Sequence, residues 1–138
     1  MARILSIDYG KKRTGLAVTD PLQLIAGGLA TVSTSTLFEY LTQYVAKEEV
    51  ERIVIGEPRQ PNGQPSENLE RVKQFVNRWR KAMPQIPIEF YDERFTSVLA
   101  HQAMLEGGLK KKARQDKALV DEISATIILQ DYMRSKNL

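Results

Sequence analysis

Four carboxylates stand where the surrounding pattern does not ask for charge. Asp8 closes the almost wholly apolar run of residues 4–7, and Asp92 with Glu93 closes a second run, residues 86–91. Asp121 is followed at i+4, i+7 and i+11 by Ala125, Ile128 and Tyr132, so its carboxylate lies along a helix face that otherwise reads as buried. Carboxylates gathered in one place repel one another and titrate upwards unless a cation neutralises them. The chain has no cysteine and one histidine, His101, which excludes disulfides, thiolate or multi-histidine metal centres and cysteine nucleophiles. A metal held here is therefore held by oxygen, which points to Mg²⁺ or Mn²⁺ completed by substrate phosphates. Two such ions about 4 Å apart can activate a water and stabilise the leaving oxygen of an in-line displacement at phosphorus. Residue chemistry alone thus leads to a metal-dependent phosphodiesterase.

The cations are distributed to suit that substrate. Lys11, Lys12 and Arg13 follow Asp8 at the tip of a hairpin, and Lys110, Lys111, Lys112 and Arg114 fall in a second loop, residues 107–115. Phosphate contact is easily arranged at loop tips. A third group, Arg71, Lys73, Arg78, Arg80 and Lys81, is what the outer face of an amphipathic helix carries. The net charge of +3 and pI near 9.2 permit a nucleic-acid partner.

Several elements must position these groups. Strands are expected over residues 4–7 and 15–18, joined as a hairpin, then over 24–34, with Gly27 and Gly28 marking a bulge or bend. A helix over 36–47 carries Leu37, Tyr40, Leu41, Tyr44 and Val45 on one stripe. The β-branched run Ile53, Val54, Ile55 marks a central parallel strand over 50–56, followed by a proline-rich loop over 57–65. A helix over 66–83 follows, capped by Ser66, ended by Pro84, and burying Trp79. After the strand over 86–91 come a short helix over 96–106, which holds His101 outside any catalytic role, and a closing helix over 116–134. This is an α/β domain whose later strands lie parallel to the first, with helices on both faces. Ligands of such sheets collect at the carboxyl ends of the strands, where Asp8, Gly56, Asp92 and Glu93 fall.

At 138 residues the chain is expected to form one domain, residues 1–138. No apolar run approaches the roughly 20 residues that span a membrane, and the N-terminus lacks a secretory pattern. A cytoplasmic protein with no membrane partner is the expectation.

The segments IDYGKKRTGLAVTD, IVIGEP with NG just after it, YDERFTS and VDEISATIILQDY closely resemble, in order and spacing, the signature of the YqgF family, also called RuvX. The resemblance covers essentially the whole chain. It implies an RNase H-like fold with a five-stranded mixed sheet of order 3-2-1-4-5. It also implies a nuclease that matures the 5′ end of precursor 16S rRNA in ribosome biogenesis, on the assembling small ribosomal subunit, or one that resolves branched DNA. Carried onto matching positions, the metal-holding and catalytic acids are Asp8, Glu93 and Asp121. Asp92 is the alternative to Glu93, because neighbours on a strand point to opposite faces. Lys11, Lys12, Arg13 and Arg94 would position nucleic-acid phosphates or steady the acids, and Lys110, Lys111, Lys112 and Arg114 would hold neighbouring phosphates. Glu57 stands where the family has an apolar residue, and it is expected to face solvent.

Three readings follow. The first is a divalent-metal-dependent endonuclease acting on structured RNA, as a monomer or weak homodimer. The second is a Holliday-junction resolvase, which requires a symmetric dimer because two nicks need two sites. The third is a non-catalytic, ribosome-associated RNA-binding factor whose affinity falls with salt and needs no metal. The opening hairpin also resembles the phosphate loop of actin-like and sugar-kinase ATPases, but those use two such domains, and this chain has no second DxG.

Overall fold

The apolar run after Arg3 forms the central strand of the sheet, and its neighbours follow from its alternation. A computed structural model describes residues 2–58, 67–92 and 117–136. Its strands are β1 (Arg3–Tyr9), β2 (Arg13–Thr19), β3 (Ala26–Ser33), β4 (Val50–Glu57) and β5 (Ile88–Asp92); its helices are α1 (Leu37–Lys47), α2 (Leu69–Ala82) and α3 (Lys117–Lys136). The five strands form one sheet in the order β3-β2-β1-β4-β5. β1, β2 and β3 pair antiparallel, whereas β4 is parallel to β1 and β5 to β4. This is the mixed sheet that the segment order predicts.

Successive residues of each strand serve opposite layers. Leu5, Ile7, Leu16, Ile53 and Ile55 pack against α1 and α2, where Trp79 is wholly buried and its Nε1 donates to the Ile86 carbonyl at 3.1 Å. Ile4, Ala17 and Val54 face the other way, against Ala125, Ile128, Leu129 and Tyr132 of α3. Helices therefore cover both faces. The stripe read after Asp121 is the one that packs.

Local hydrogen bonds move several element ends. β3 begins at Ala26 rather than residue 24, because the Asp20 carboxylate accepts the backbone N–H groups of Leu22, Leu24 and Ile25 and holds them in a turn. The bulge falls at Leu29, between Leu16↔Ala30 and Ala17↔Gly28, next to the two glycines that announce it. β5 begins at Ile88, since the Ile86 N–H is drawn back to the Met83 carbonyl at 3.2 Å. α2 begins at Leu69, and Asn68 before it donates its side-chain N–H to the Tyr9 carbonyl at 2.7 Å, tying the helix to the end of β1. Ser66, His101, the helix over 96–106 and the loop over 107–115 lie outside the described residues.

Candidate active site

Asp8 sits inside β1, one residue before its end, rather than just past it. It shares a face with Ser6, whose buried hydroxyl donates to the Ala125 carbonyl of α3 at 2.6 Å. From Ser6 to Asp8 the strand advances about 6.6 Å. From Ala125 back to Asp121 the helix advances about 6 Å. Strand and helix keep step, so Asp121 comes to the same end of the sheet as Asp8.

Gly15 fixes where the Asp121 backbone lies. It is the cross-strand partner of Asp8, and opposite residues of an antiparallel pair share a face. A Cβ on Gly15 would overlap the Asp121 carbonyl and lie 3.0 Å from the Asp121 Cβ. The bare glycine lets α3 press its backbone onto β2 at the position beside Asp8. Asp8 and Asp121 are thus brought to one face at the carboxyl end of the central strand.

Arg13 lies on that face too, two residues before Gly15. Its Nε donates to Asp121 Oδ2 at 3.0 Å, so the third cation of the hairpin is already turned towards the acids. Lys11 and Lys12 are exposed at the tip. Thr34 braces them: its hydroxyl donates to the Gly10 carbonyl at 2.7 Å, and its N–H donates to the Lys12 carbonyl at 2.9 Å. Neither Thr34 nor Ser6 was read from the sequence as part of the site; nothing in the local pattern marks Thr34, and the only signal for Ser6 is that it is the one polar residue in an apolar run.

The choice between Asp92 and Glu93 is narrowed from the far side of the sheet. The Tyr91 hydroxyl donates to Asp131 of α3 at 2.9 Å, so Tyr91 faces α3, and alternation turns Asp92 away. Glu57 pairs with Asp92 and is turned away with it; it is half-buried rather than fully in solvent. Glu93, Arg94, Lys110, Lys111, Lys112 and Arg114 lie outside the described residues.

Among the described residues no group of three or more histidine, cysteine or acidic side chains is gathered as a metal site. The two acids that do come together offer only oxygen, and the chain has no thiolate to compete. That donor set fits Mg²⁺ or Mn²⁺.

A mixed sheet in this order, with helices on both faces, defines an RNase H-like fold. Two solved structures share the fold. "T. thermophilus RuvC in complex with Holliday junction substrate" superposes with a TM-score of 0.57 at 17% identity, over 98% of this chain and 96% of that one. The Fowlpox virus resolvase, in complex with substrate Holliday junction DNA, gives 0.59 at 12% identity, over 97% and 98%. The chain belongs to the RuvX family, described as Holliday junction resolvase, whose pattern it matches over residues 2–135. A relative from Phocaeicola vulgatus, named "Putative pre-16S rRNA nuclease", is 68% identical over 136 residues, covering 99% of this chain and 98% of that protein. One of the same name from Bacteroides thetaiotaomicron is 62% identical over 136 residues, covering 99% of each.

Proposed function

We propose that this chain is a divalent-metal-dependent endonuclease that matures the 5′ end of precursor 16S rRNA on the assembling small ribosomal subunit, in the cytoplasm. The observation that carries the reading is the meeting of Asp8 and Asp121 over Gly15, with Arg13 alongside. Asp8, Glu93 and Asp121 hold Mg²⁺ or Mn²⁺; Glu93 is preferred over Asp92 because Asp92 is turned to the opposite face. What the cation supplies in such a site is Lewis-acid activation of the attacking water and neutralisation of charge at phosphorus. Arg13 holds Asp121 in place and, with Lys11 and Lys12 at the tip, meets the phosphates beside the cleaved bond. Arg94, Lys110, Lys111, Lys112 and Arg114 extend that contact along the RNA. The RNA substrate is supported by the names of relatives more than 60% identical over nearly their whole length.

The test is cleavage of a precursor 16S 5′-leader RNA with Mg²⁺ or Mn²⁺, against Holliday-junction DNA as the rival substrate. Asp8→Asn and Asp121→Asn are each expected to lower cleavage by more than about a hundredfold, since even partners standing behind metal ligands are worth about 10–100-fold. Cleavage of the junction alone would replace the RNA reading. Metal-dependent cleavage that survives both substitutions would remove the ligand assignment.

A further inference from the structure

Tyr9 follows Asp8 and so faces the opposite side of the sheet, towards α1 and α2, at the same carboxyl end of β1. There it lines a groove of about 400 Å³ together with Thr34, Phe38, Arg71, Gln74 and Arg78. That volume lies within the range that holds a nucleotide-sized ligand.

The chemistry of the lining is one-sided. Arg71 and Arg78 lie two turns apart on one face of α2, and among the described residues neither is paired with a carboxylate and no carboxylate lines the groove. The Arg78 guanidinium stands over the Phe38 ring, 4.0 Å from its centroid, so it is held in place by an aromatic face while its N–H groups need acceptors. Arg71 stands near enough to Tyr9 to oppose the upward pull of burial on that phenol. Tyr9 in turn rests on Phe75 at 5.7 Å between ring centroids. Two guanidiniums with no carboxylate partner among the described residues, beside supported rings, suit a ligand that carries phosphate and a flat face together, as a nucleotide does.

The groove also touches the hairpin that carries the cations of the candidate active site. Thr34 is a wall of the groove and is the residue that braces Gly10 and Lys12. A strand leaving the acids would cross the Lys11 and Lys12 tip to the opposite face of the sheet to enter it. We propose that this groove is a subsite for a single-stranded nucleotide flanking the cleaved bond, its phosphates held by Arg71 and Arg78 and its base lying against Tyr9. The inference rests on the nuclease reading for its substrate, while the groove itself stands on α2 and β1.

The test is binding of a fluorescein-labelled, unstructured 12-nucleotide RNA, followed by anisotropy in EDTA over a range of salt. Wild type is compared with the double variant Arg71→Gln/Arg78→Gln and with Lys73→Gln/Lys81→Gln, which removes the same charge from elsewhere on α2. The groove variant is expected to bind at least about tenfold more weakly and to lower the slope of log K against log salt by about 1.4, at about 0.7 per phosphate contact on a single strand. The control is expected to stay within about threefold of wild type. Equal losses in both variants, or none in the groove variant, would overturn the subsite. Adenosine monophosphate that binds as tightly as the 12-mer, and only when both arginines are present, would assign the groove to a free nucleotide and overturn the RNA claim. An RNA that is bound through Arg71 and Arg78 but cut by no form of the protein would leave the subsite standing and remove the nuclease reading. An RNA that is cut while the groove variant binds unchanged would do the reverse.

Discussion

Arg13 donates to Asp121 across 3.0 Å with the two side chains 43% and 24% exposed, so the pair is solvated and is worth no more than about 1 kcal/mol of stability. Its consequence is chemical. A guanidinium on Asp121 occupies one of the oxygens that a divalent cation would use in the proposed site, and a phosphate that drew the arginine away would free it. Arg13→Gln is therefore expected to tighten Mn²⁺ binding to the free protein, read by electron paramagnetic resonance titration, while weakening binding of RNA. Weaker Mn²⁺ binding in the variant would mean that the arginine serves the metal only by holding Asp121 in position. The two acids themselves were legible in the sequence, because a charge that interrupts an apolar run, or rides on a buried stripe, has few structural reasons to be there. Arg13 was legible as one of four cations that position phosphates or steady the acids, without a sign of which acid it meets. Its partner lies 108 residues away, and no local pattern encodes a contact of that range.

At the scale of elements, the contact between β2 and α3 decides whether the acids meet. Gly15→Ala places a methyl group against the Asp121 carbonyl, and backbone on both sides leaves nothing flexible to give way. Overpacking of this kind costs about 1–3 kcal/mol. Urea unfolding is expected to show that loss, with Mn²⁺ affinity falling as well because Asp121 is lifted from Asp8; unchanged metal affinity would separate the packing from the site. The turn before β3 makes a prediction about pH. Three backbone N–H groups, led by that of Ile25, hold the Asp20 carboxyl below its ordinary value of 3.8. A lowered folded-state pKa contributes stability that is present above the unfolded value and lost as pH falls through the folded one. The thermal midpoint of wild type should therefore exceed that of Asp20→Ala at pH 5 to 7, and the gap should close in strongly acidic solution. A gap that persists unchanged at low pH would exclude the carboxylate as its source. This same turn explains why the third strand was begun two residues too early. Leu24 and Ile25 have strand-like side chains, and a neighbouring carboxylate claims their backbone instead.

At the scale of the sheet the labour is divided: Asp8, Asp121 and Arg13 lie on the α3 side, and Arg71 and Arg78, with Glu57 and Asp92, lie on the α2 side of the same carboxyl end. Hydrophobic alternation shows which residues face opposite layers, but it does not show which helix fills a layer, and the strand order came from the likeness of four segments to a family. The two sides should respond oppositely when charge is removed. Without a divalent cation, the Asp8 and Asp121 carboxylates repel the phosphates that the basic tip attracts. Asp8→Asn/Asp121→Asn is then expected to bind the 12-mer RNA more tightly than wild type in EDTA, by roughly threefold to tenfold, on the order of 1 kcal/mol of relieved repulsion. Adding Ca²⁺ should raise wild-type binding and leave the variant almost unmoved, so the two converge. Tighter binding coupled to lost cleavage is hard to obtain from a damaged fold, which would lower both. Weaker binding by the double variant in EDTA would instead place the RNA path away from these acids and leave the α2 face as the principal contact.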